Sequence, residues 1–235
     1  MLPVRVQVTM GTDQRLTGRS RDGIMGKWNC PRPLFFMSAA KPPNQIRIIG
    51  GQWRGRKLRV PDAGGVRPTP DRVRETLFNW LAPVVAGSRV LDLYAGSGAL
   101  GFEAASRGAA EVQMVERDPR VVRVLYEQVQ LLRADTIQVA QSDALQYLRG
   151  IPRRFDIVLL DPPYGQDLLS ASLALLEPDW LTPDAWLYIE AERELPPDQL
   201  VALLPAGFAL IRSKVTGQVG YHLARRQASG VAKGE

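Results

Sequence analysis

Between Arg89 and Glu190 the chain repeatedly sets a short apolar run against a segment of helical period. That alternation narrows the fold more than any other feature. The runs lie at 89–93 (RVLDL), 111–116 (EVQMVE), 136–140 (TIQVA), 156–160 (DIVLL) and 185–190 (AWLYIE), with helical segments at about 99–107, 118–132, 143–149 and 167–177. A continuous run such as Ile157-Val158-Leu159-Leu160 suits a strand buried on both faces, and strands joined by helical crossovers pair in parallel. The final stretch, FALIRSKVTGQVGYHLARR, gives two strands joined at Gly217, an antiparallel pair. The expectation is an α/β fold: a seven-stranded, mostly parallel sheet with a terminal antiparallel strand. Such sheets place their chemistry at the carboxyl ends of the strands.

With 235 residues, 45% of them apolar and 23% charged, the chain suits one sizeable domain with a small appendage. It has no apolar segment near the roughly 18 residues of a membrane helix and no continuous apolar stretch at its start. Cys30 is the only cysteine and His222 the only histidine, which excludes an intrachain disulfide and argues against a zinc site. His222 reads as structural, and Phe102, Met114, Trp180 and Trp186 read as core. A cytoplasmic, metal-free monomer is expected.

The net charge of +6 is unevenly spread. Residues 1–43 hold seven Lys/Arg and two Asp, residues 44–80 eight and three, and residues 81–235 fifteen and nineteen. A basic leading third on an acidic body suggests contact with a polyanion. Residues 1–43 show no sustained period and read as a disordered extension; Met10, Met25 or Met37 could each be the true start. Residues 44–83 read as a basic β-hairpin followed by a helix, residues 84–228 as the catalytic domain, and 229–235 as a disordered tail. The hairpin is QIRIIGGQWRGRKLRV, in which Trp53 reads as packing. The helix lies in RPTPDRVRETLFNWLAP, with Thr69 as N-cap, Pro70 in the first turn, and Val73, Leu77 and Trp80 recurring along one face.

The stretch VLDLYAGSGALG lies between the first strand and its helix. Gly96, Gly98 and Gly101 satisfy G-x-G-x-x-G, and Glu116 follows Gly96 by 20 residues. Asp92 bears on the cofactor. A carboxylate there would repel a dinucleotide pyrophosphate, whereas S-adenosylmethionine brings a sulfonium and an ammonium that it favours. Glu116 is then placed for the ribose hydroxyls. Asp143 is placed for the adenine amino group or, equally, as the N-cap of the next helix. The expected cofactor-binding set is Asp92, Tyr94, Gly96, Ser97, Gly98, Glu116, Arg117, Asp143 and Ala144.

The fourth run ends in DPPYG. Pro162 and Pro163 cannot donate to a ladder, so the strand stops and holds Asp161 and Tyr164 on a stiff loop. DPPY after the fourth strand, with VLDLYAGSGALG after the first, resembles the class I amino-methyltransferases, whose fold is Rossmann-like. The segments RIIGGQWRGRKLRVP, RPTPDRVRETLFNWL and AGSGALGFEAASRGA together resemble the ribosomal small-subunit methyltransferase D family, the 16S rRNA (guanine(966)-N2)-methyltransferases. The likeness runs from about Gln45 to Arg225. It implies S-adenosylmethionine as cofactor, and 16S rRNA or the 30S particle as partner.

The loop suits that chemistry physically. An exocyclic amine is a poor nucleophile because its lone pair is delocalised into the ring. The Asp161 carboxylate and the Pro162 carbonyl are acceptors that would orient it and stabilise the positive charge it gains. Tyr164 offers a flat face for a base taken out of its stack, worth roughly 1–3 kcal/mol. Asp161, Pro162 and Tyr164 are the expected catalytic residues. Arg54, Arg56, Lys57, Arg67, Arg72 and Arg74 are the expected RNA contacts, which position rather than specify; Arg72 and Arg74 could instead pair with Asp71 and Glu75. Three other readings stay open: methylation of adenine N6 or of a protein glutamine, an assembly factor with an inactive methyltransferase fold, and an NAD-dependent enzyme.

Overall fold

The computed structural model describes residues 45–61, 69–176 and 178–227. The expectations for residues 1–43, 229–235 and Arg67 lie outside that set. The order of elements is β1 (Gln45–Arg47), β2 (Lys57–Arg59), α1 (Asp71–Leu81), β3 (Arg89–Asp92), α2 (Ala99–Ser106), β4 (Glu111–Glu116), α3 (Pro119–Leu132), β5 (Ile137–Gln141), α4 (Ala144–Leu148), β6 (Phe155–Leu160), α5 (Leu168–Leu175), a 3₁₀ turn (Pro178–Trp180), β7 (Leu181–Glu192), α6 (Pro197–Leu203), β8 (Phe208–Thr216) and β9 (Val219–Arg226). Strands β3 to β9 form a seven-stranded sheet in the order β5-β4-β3-β6-β7-β9-β8. Its pairs are parallel as far as β7, and β9 runs antiparallel to both β7 and β8. The expected mostly parallel sheet with one reversed strand is therefore present, and β9 inserts between β7 and the edge strand β8. Helix α6 was not anticipated: PPDQLVAL is short and buries only Leu200.

Two apolar clusters flank the sheet. One contains Val90, Phe102, Met114, Leu159 and Tyr188; the other contains Leu91, Phe155, Val158, Leu187 and Ile189. Neighbours along each strand fall in opposite clusters, as the pleat requires. Phe102, Met114 and Trp180 are buried as expected, whereas Trp186 is half-buried beneath the Arg225 guanidinium. His222 is buried, with its Nδ1 2.9 Å from Ser213 Oγ. No helix among the described residues is long and apolar enough to cross a membrane.

The small β1–β2 sheet alternates exposed and buried positions, so Ile46 and Leu58 join the first cluster while Arg47, Lys57 and Arg59 face outward. Backbone bonds fasten the hairpin to the body: Gln52 N donates to Ser106 O (2.8 Å) and Arg59 N to Gln128 Oε1 (2.8 Å). Contact at the first of these is so close that a Cβ on Gly51 would lie 1.8 Å from Ser106 O, and Gly51 also has φ +77°. Trp53 packs against the first cluster, as its sequence setting implies.

Glu103 of α2 closes this junction. It is fully buried; its Oε2 accepts from Ile49 N and its Oε1 from Gly50 N, both at 2.8 Å, and Oε1 also accepts from Arg107 Nε at 2.7 Å. Arg74 Nη1 lies 3.7 Å from Glu103 Oε2. Removing one partner of a buried ion pair costs about 3–5 kcal/mol because the other charge is stranded. We predict that E103A is destabilised on that scale, and that the Ile49 and Gly50 amides exchange hydrogen before those of β3 and β6. Uniform exchange would contradict this anchoring role.

Candidate active site

Parallel register sets the site. Asp92 is paired beside Leu159 on β6, and Leu159 lies beside Tyr188 on β7. The last β6–β7 pair is Leu160 with Ile189, so the next step sets Asp161 beside Glu190. Residues two apart share a face, which places Asp92, Asp161 and Glu190 on one side of the sheet at its carboxyl edge. Glu116 ends β4, the next strand on the other side of β3.

Each acid has a local anchor. Asp92 is buried, and its Oδ2 accepts from Gly101 N at 3.0 Å. Gly101 is needed there: a Cβ would lie 2.4 Å from Met114 Cε and 3.0 Å from that same Asp92 oxygen. The glycine loop is thus strapped to the strand that precedes it. Glu116 Oε2 accepts from Gly96 N (3.0 Å), and its Oε1 accepts from Asp118 N (2.8 Å). Asp143 is the N-cap of α4, its Oδ1 accepting from Leu145 N and Gln146 N, so the capping alternative is present. Tyr94 turns its hydroxyl to within 2.6 Å of Ser172 Oγ on α5. Ser97 and Ala144 are buried, Gly98 leads into α2 with φ +77°, and Arg117 is exposed next to Glu116.

In the DPPY loop Pro162 is buried, Pro163 and Tyr164 are exposed, and Gly165 N donates to Glu192 Oε1 at 2.8 Å. Glu192 therefore ties the loop back to the end of β7. Thr69 donates from Oγ1 to Asp161 Oδ2 at 3.3 Å. This corrects the helix-cap expectation: Pro70 occupies the N-cap of α1, no side chain caps that helix, and the Thr69 hydroxyl is turned to the DPPY loop.

Arg74 requires a second correction. It is fully buried; its Nε donates to Thr69 O (3.2 Å), while its Nη2 donates to Arg47 O (3.1 Å) and pairs with Asp71 Oδ1 (2.5 Å). A guanidinium so enclosed cannot reach an RNA phosphate, and its partners are Asp71 and Glu103 rather than Glu75. Arg54, Arg56, Lys57 and Arg72 are exposed. Arg47 was not singled out from sequence, yet it stands exposed beside Lys57 across the hairpin.

The electrostatics are unusual for one edge of a sheet. Burial pushes Asp92 up to about 7, against the lowering effect of the Gly101 bond and with help from Asp161 and Glu116. Burial also raises Asp161, opposed by the Thr69 hydroxyl. Glu190 is raised further, by burial first and then by the negative charge of Asp161. Burial, then Asp161, Glu190 and Glu192, keep the Tyr164 phenol neutral. Among the described residues no Lys or Arg forms an ion pair with Asp92, Asp161 or Glu190. Glu190 was not anticipated, although it ends its apolar run as Glu116 ends its own.

Several known proteins share this arrangement of chain. Residues 46–225 match the family described as Conserved hypothetical protein 95. The chain is 49% identical over 198 residues to a protein named ribosomal RNA small subunit methyltransferase D from Escherichia coli, covering 81% of this chain and 97% of that one. The solved structure of the yhhF protein of Escherichia coli superposes with a TM-score of 0.70 at 46% identity, over 79% of this chain and 100% of that one. The Thermus thermophilus 16S rRNA N2 G1207 methyltransferase, solved with AdoMet and guanosine, shares the fold: TM-score 0.61 at 24% identity, over 79% of this chain and 50% of that one.

A raised carboxyl pKa means that the folded state loses stability as pH rises from the unfolded value through the folded one. For Asp92 that window runs from about pH 4 to about pH 7. The expected outcome is that D92N, free of cofactor, melts at a higher temperature than the parent at pH 8, with a gain on the order of 4 kcal/mol, and that the gain vanishes near pH 4. Equal melting of the two at pH 8 would contradict the burial of an unpaired carboxylate.

Proposed function

The chain belongs to the ribosomal RNA small subunit methyltransferase D family, and from that membership we propose that it transfers a methyl group from S-adenosylmethionine to the exocyclic N2 of a guanine in 16S rRNA, of the guanine 966 type. The observation that carries the reading is the 49% identity along 97% of the Escherichia coli protein of that name.

The site fits the cofactor. Asp92 is buried with no ion-pair partner among the described residues and sits against the glycine loop, so a cationic group would relieve it. When bound, the cofactor supplies an electrophilic methyl on a sulfonium. Asp92 would balance its positive charge, Glu116 would take the ribose hydroxyls, and Tyr94, Gly96, Ser97, Gly98, Arg117, Asp143 and Ala144 would complete the lining. Asp161 and the Pro162 carbonyl would accept hydrogen bonds from the amine and stabilise its growing charge, and Tyr164 would stack on the ring.

Residues 44–83 would form the RNA-binding arm on the domain spanning 84–228. Arg54, Arg56, Lys57 and Arg72 are exposed for phosphate contact, Arg67 is proposed from sequence alone, and Arg74 is replaced in this set by Arg47. The substrate proposed is the 30S particle, met by a cytoplasmic monomer, with the target base unpaired or flipped. An NAD-dependent reaction is disfavoured by the carboxylate at Asp92.

The test is to incubate the protein with labelled S-adenosylmethionine and 30S particles from a strain lacking the activity, then map the modified nucleotide. A single N2-methylated guanine in 16S rRNA is expected. Label in DNA or protein, with none in rRNA, would overturn the assignment.

A further inference from the structure

Residues 81–235 are acidic as a whole, with fifteen Lys/Arg against nineteen Asp/Glu, yet β8 and β9 carry Arg212, Lys214, Arg225 and Arg226 and no acid. The pleat decides where these cations face. Lys214 pairs with Tyr221 and Arg212 with Leu223, and both partners belong to the apolar cluster that also holds Leu159 and Tyr188. That is the side of the sheet on which Asp161 and Glu190 follow two residues later. Arg212 and Lys214 are exposed there, and among the described residues neither forms an ion pair. Aromatic rings lie under the cations. Lys214 Nζ is 5.8 Å from the Trp80 ring centre, Trp80 stacks on Tyr221 at 5.6 Å, and Arg225 Cζ is 5.0 Å from the Trp186 ring centre. A ring attracts a cation without neutralising it, so the charge stays available. Arg225 also lies 3.6 Å from the exposed Asp184.

Register ties this surface to the site. Glu190 pairs with Tyr221 and Tyr221 with Lys214, so one rung of the sheet runs from Asp161 through Glu190 and Tyr221 to Lys214. Neighbouring strands lie about 4.8 Å apart, so three steps set the Lys214 backbone about 14 Å from that of Asp161. One strand of a duplex advances about 3.4 Å per nucleotide, which makes that span about four nucleotides. We propose that Arg212 and Lys214, flanked by Arg225, form a second rRNA contact surface that holds the sugar-phosphate backbone about four nucleotides from the target guanine. The surface adjoins the proposed arm, because the Trp80 ring under Lys214 belongs to α1. Phosphate contact here fixes the course of the strand and reads no base. An edge strand such as β8 also needs charge to keep other chains from pairing with it, but either face serves that need. On β8 the neighbours Ser213 and Val215, which point to the opposite face, are uncharged, and the cations take the side of the site.

This inference rests on the proposed rRNA substrate, and two assays keep their failures apart. Co-sedimentation measures binding to 30S particles, and labelled S-adenosylmethionine measures methyl transfer to them. Both are run against salt for the parent, K214R and R212Q/K214Q, with cofactor affinity followed by calorimetry. The double variant should raise KM for the particle about tenfold near 0.1 M salt while keeping kcat and cofactor affinity. Its plot of log kcat/KM against log salt should be shallower by about 1.4 to 1.8, the scale for two lost phosphate contacts. K214R keeps the charge and should follow the parent. A double variant with the parent's KM and salt slope would overturn the surface. So would one that self-associates while its monomer keeps the parent's KM, because the cations would then only guard the sheet edge. Particle binding that depends on Arg212 and Lys214, with no rRNA methylation by the parent, would instead sink the proposed reaction and leave the surface standing.

Discussion

A buried ion pair between Glu103 and Arg74 joins parts of the chain that sequence keeps far apart. Glu103 holds the backbone of the hairpin at Ile49 and Gly50, and Arg74 holds the carbonyls of Arg47 and Thr69. Thr69 in turn reaches Asp161. A set of polar contacts, with the 3.7 Å ion pair between Arg74 and Glu103 as one link, thus runs from the proposed RNA-binding arm to the DPPY loop. Such a pair adds little net stability by comparison with apolar packing, because desolvating both charges is costly. Its effect here is geometric: the arm cannot shift without disturbing the position of Thr69.

The second constraint is the register of the parallel sheet. Ladder bonds fix the register of β3, β6 and β7, and each carries an acid at or near its carboxyl end: Asp92, Asp161 and Glu190. Burial then makes each carboxylate harder to ionise, and closeness makes ionising all of them together harder still. An edge of this kind favours a ligand that brings positive charge, or a reaction that develops it. A sulfonium and a methylated amine meet both conditions, whereas a pyrophosphate meets neither.

Much of this was legible in the sequence, for reasons that differ between elements. Strands β3, β4, β5 and β6 lie within one residue of expectation: β3, β4 and β6 are apolar and buried on both faces along most of their length, and the edge strand β5, only partly buried, is marked by its β-branched Ile137 and Val139. The glycine loop and the DPPY loop were legible because glycine and proline act on the backbone locally. Long-range partners were not. Thr69 reads as a helix cap in any local window, and only the fold brings its hydroxyl to a loop 92 residues away. Arg74 reads as one more basic residue of the arm, since nothing local reveals that Glu103 meets it in the interior. Glu190 carried a usable signal, an acid at the carboxyl end of an apolar run, but its pairing with Asp161 depends on strand order, which alternation alone does not fix.

The central claim is that Asp161 acts on the amine and not on the cofactor. Single-turnover methyl transfer by D161A, measured beside calorimetric binding of S-adenosylmethionine, addresses it directly. The account predicts cofactor affinity within a few-fold of the parent and a transfer rate lower by about 10²-fold or more, the scale for losing one group that stabilises developing charge. A transfer rate near the parent's, or a loss explained wholly by weaker cofactor binding, would contradict it.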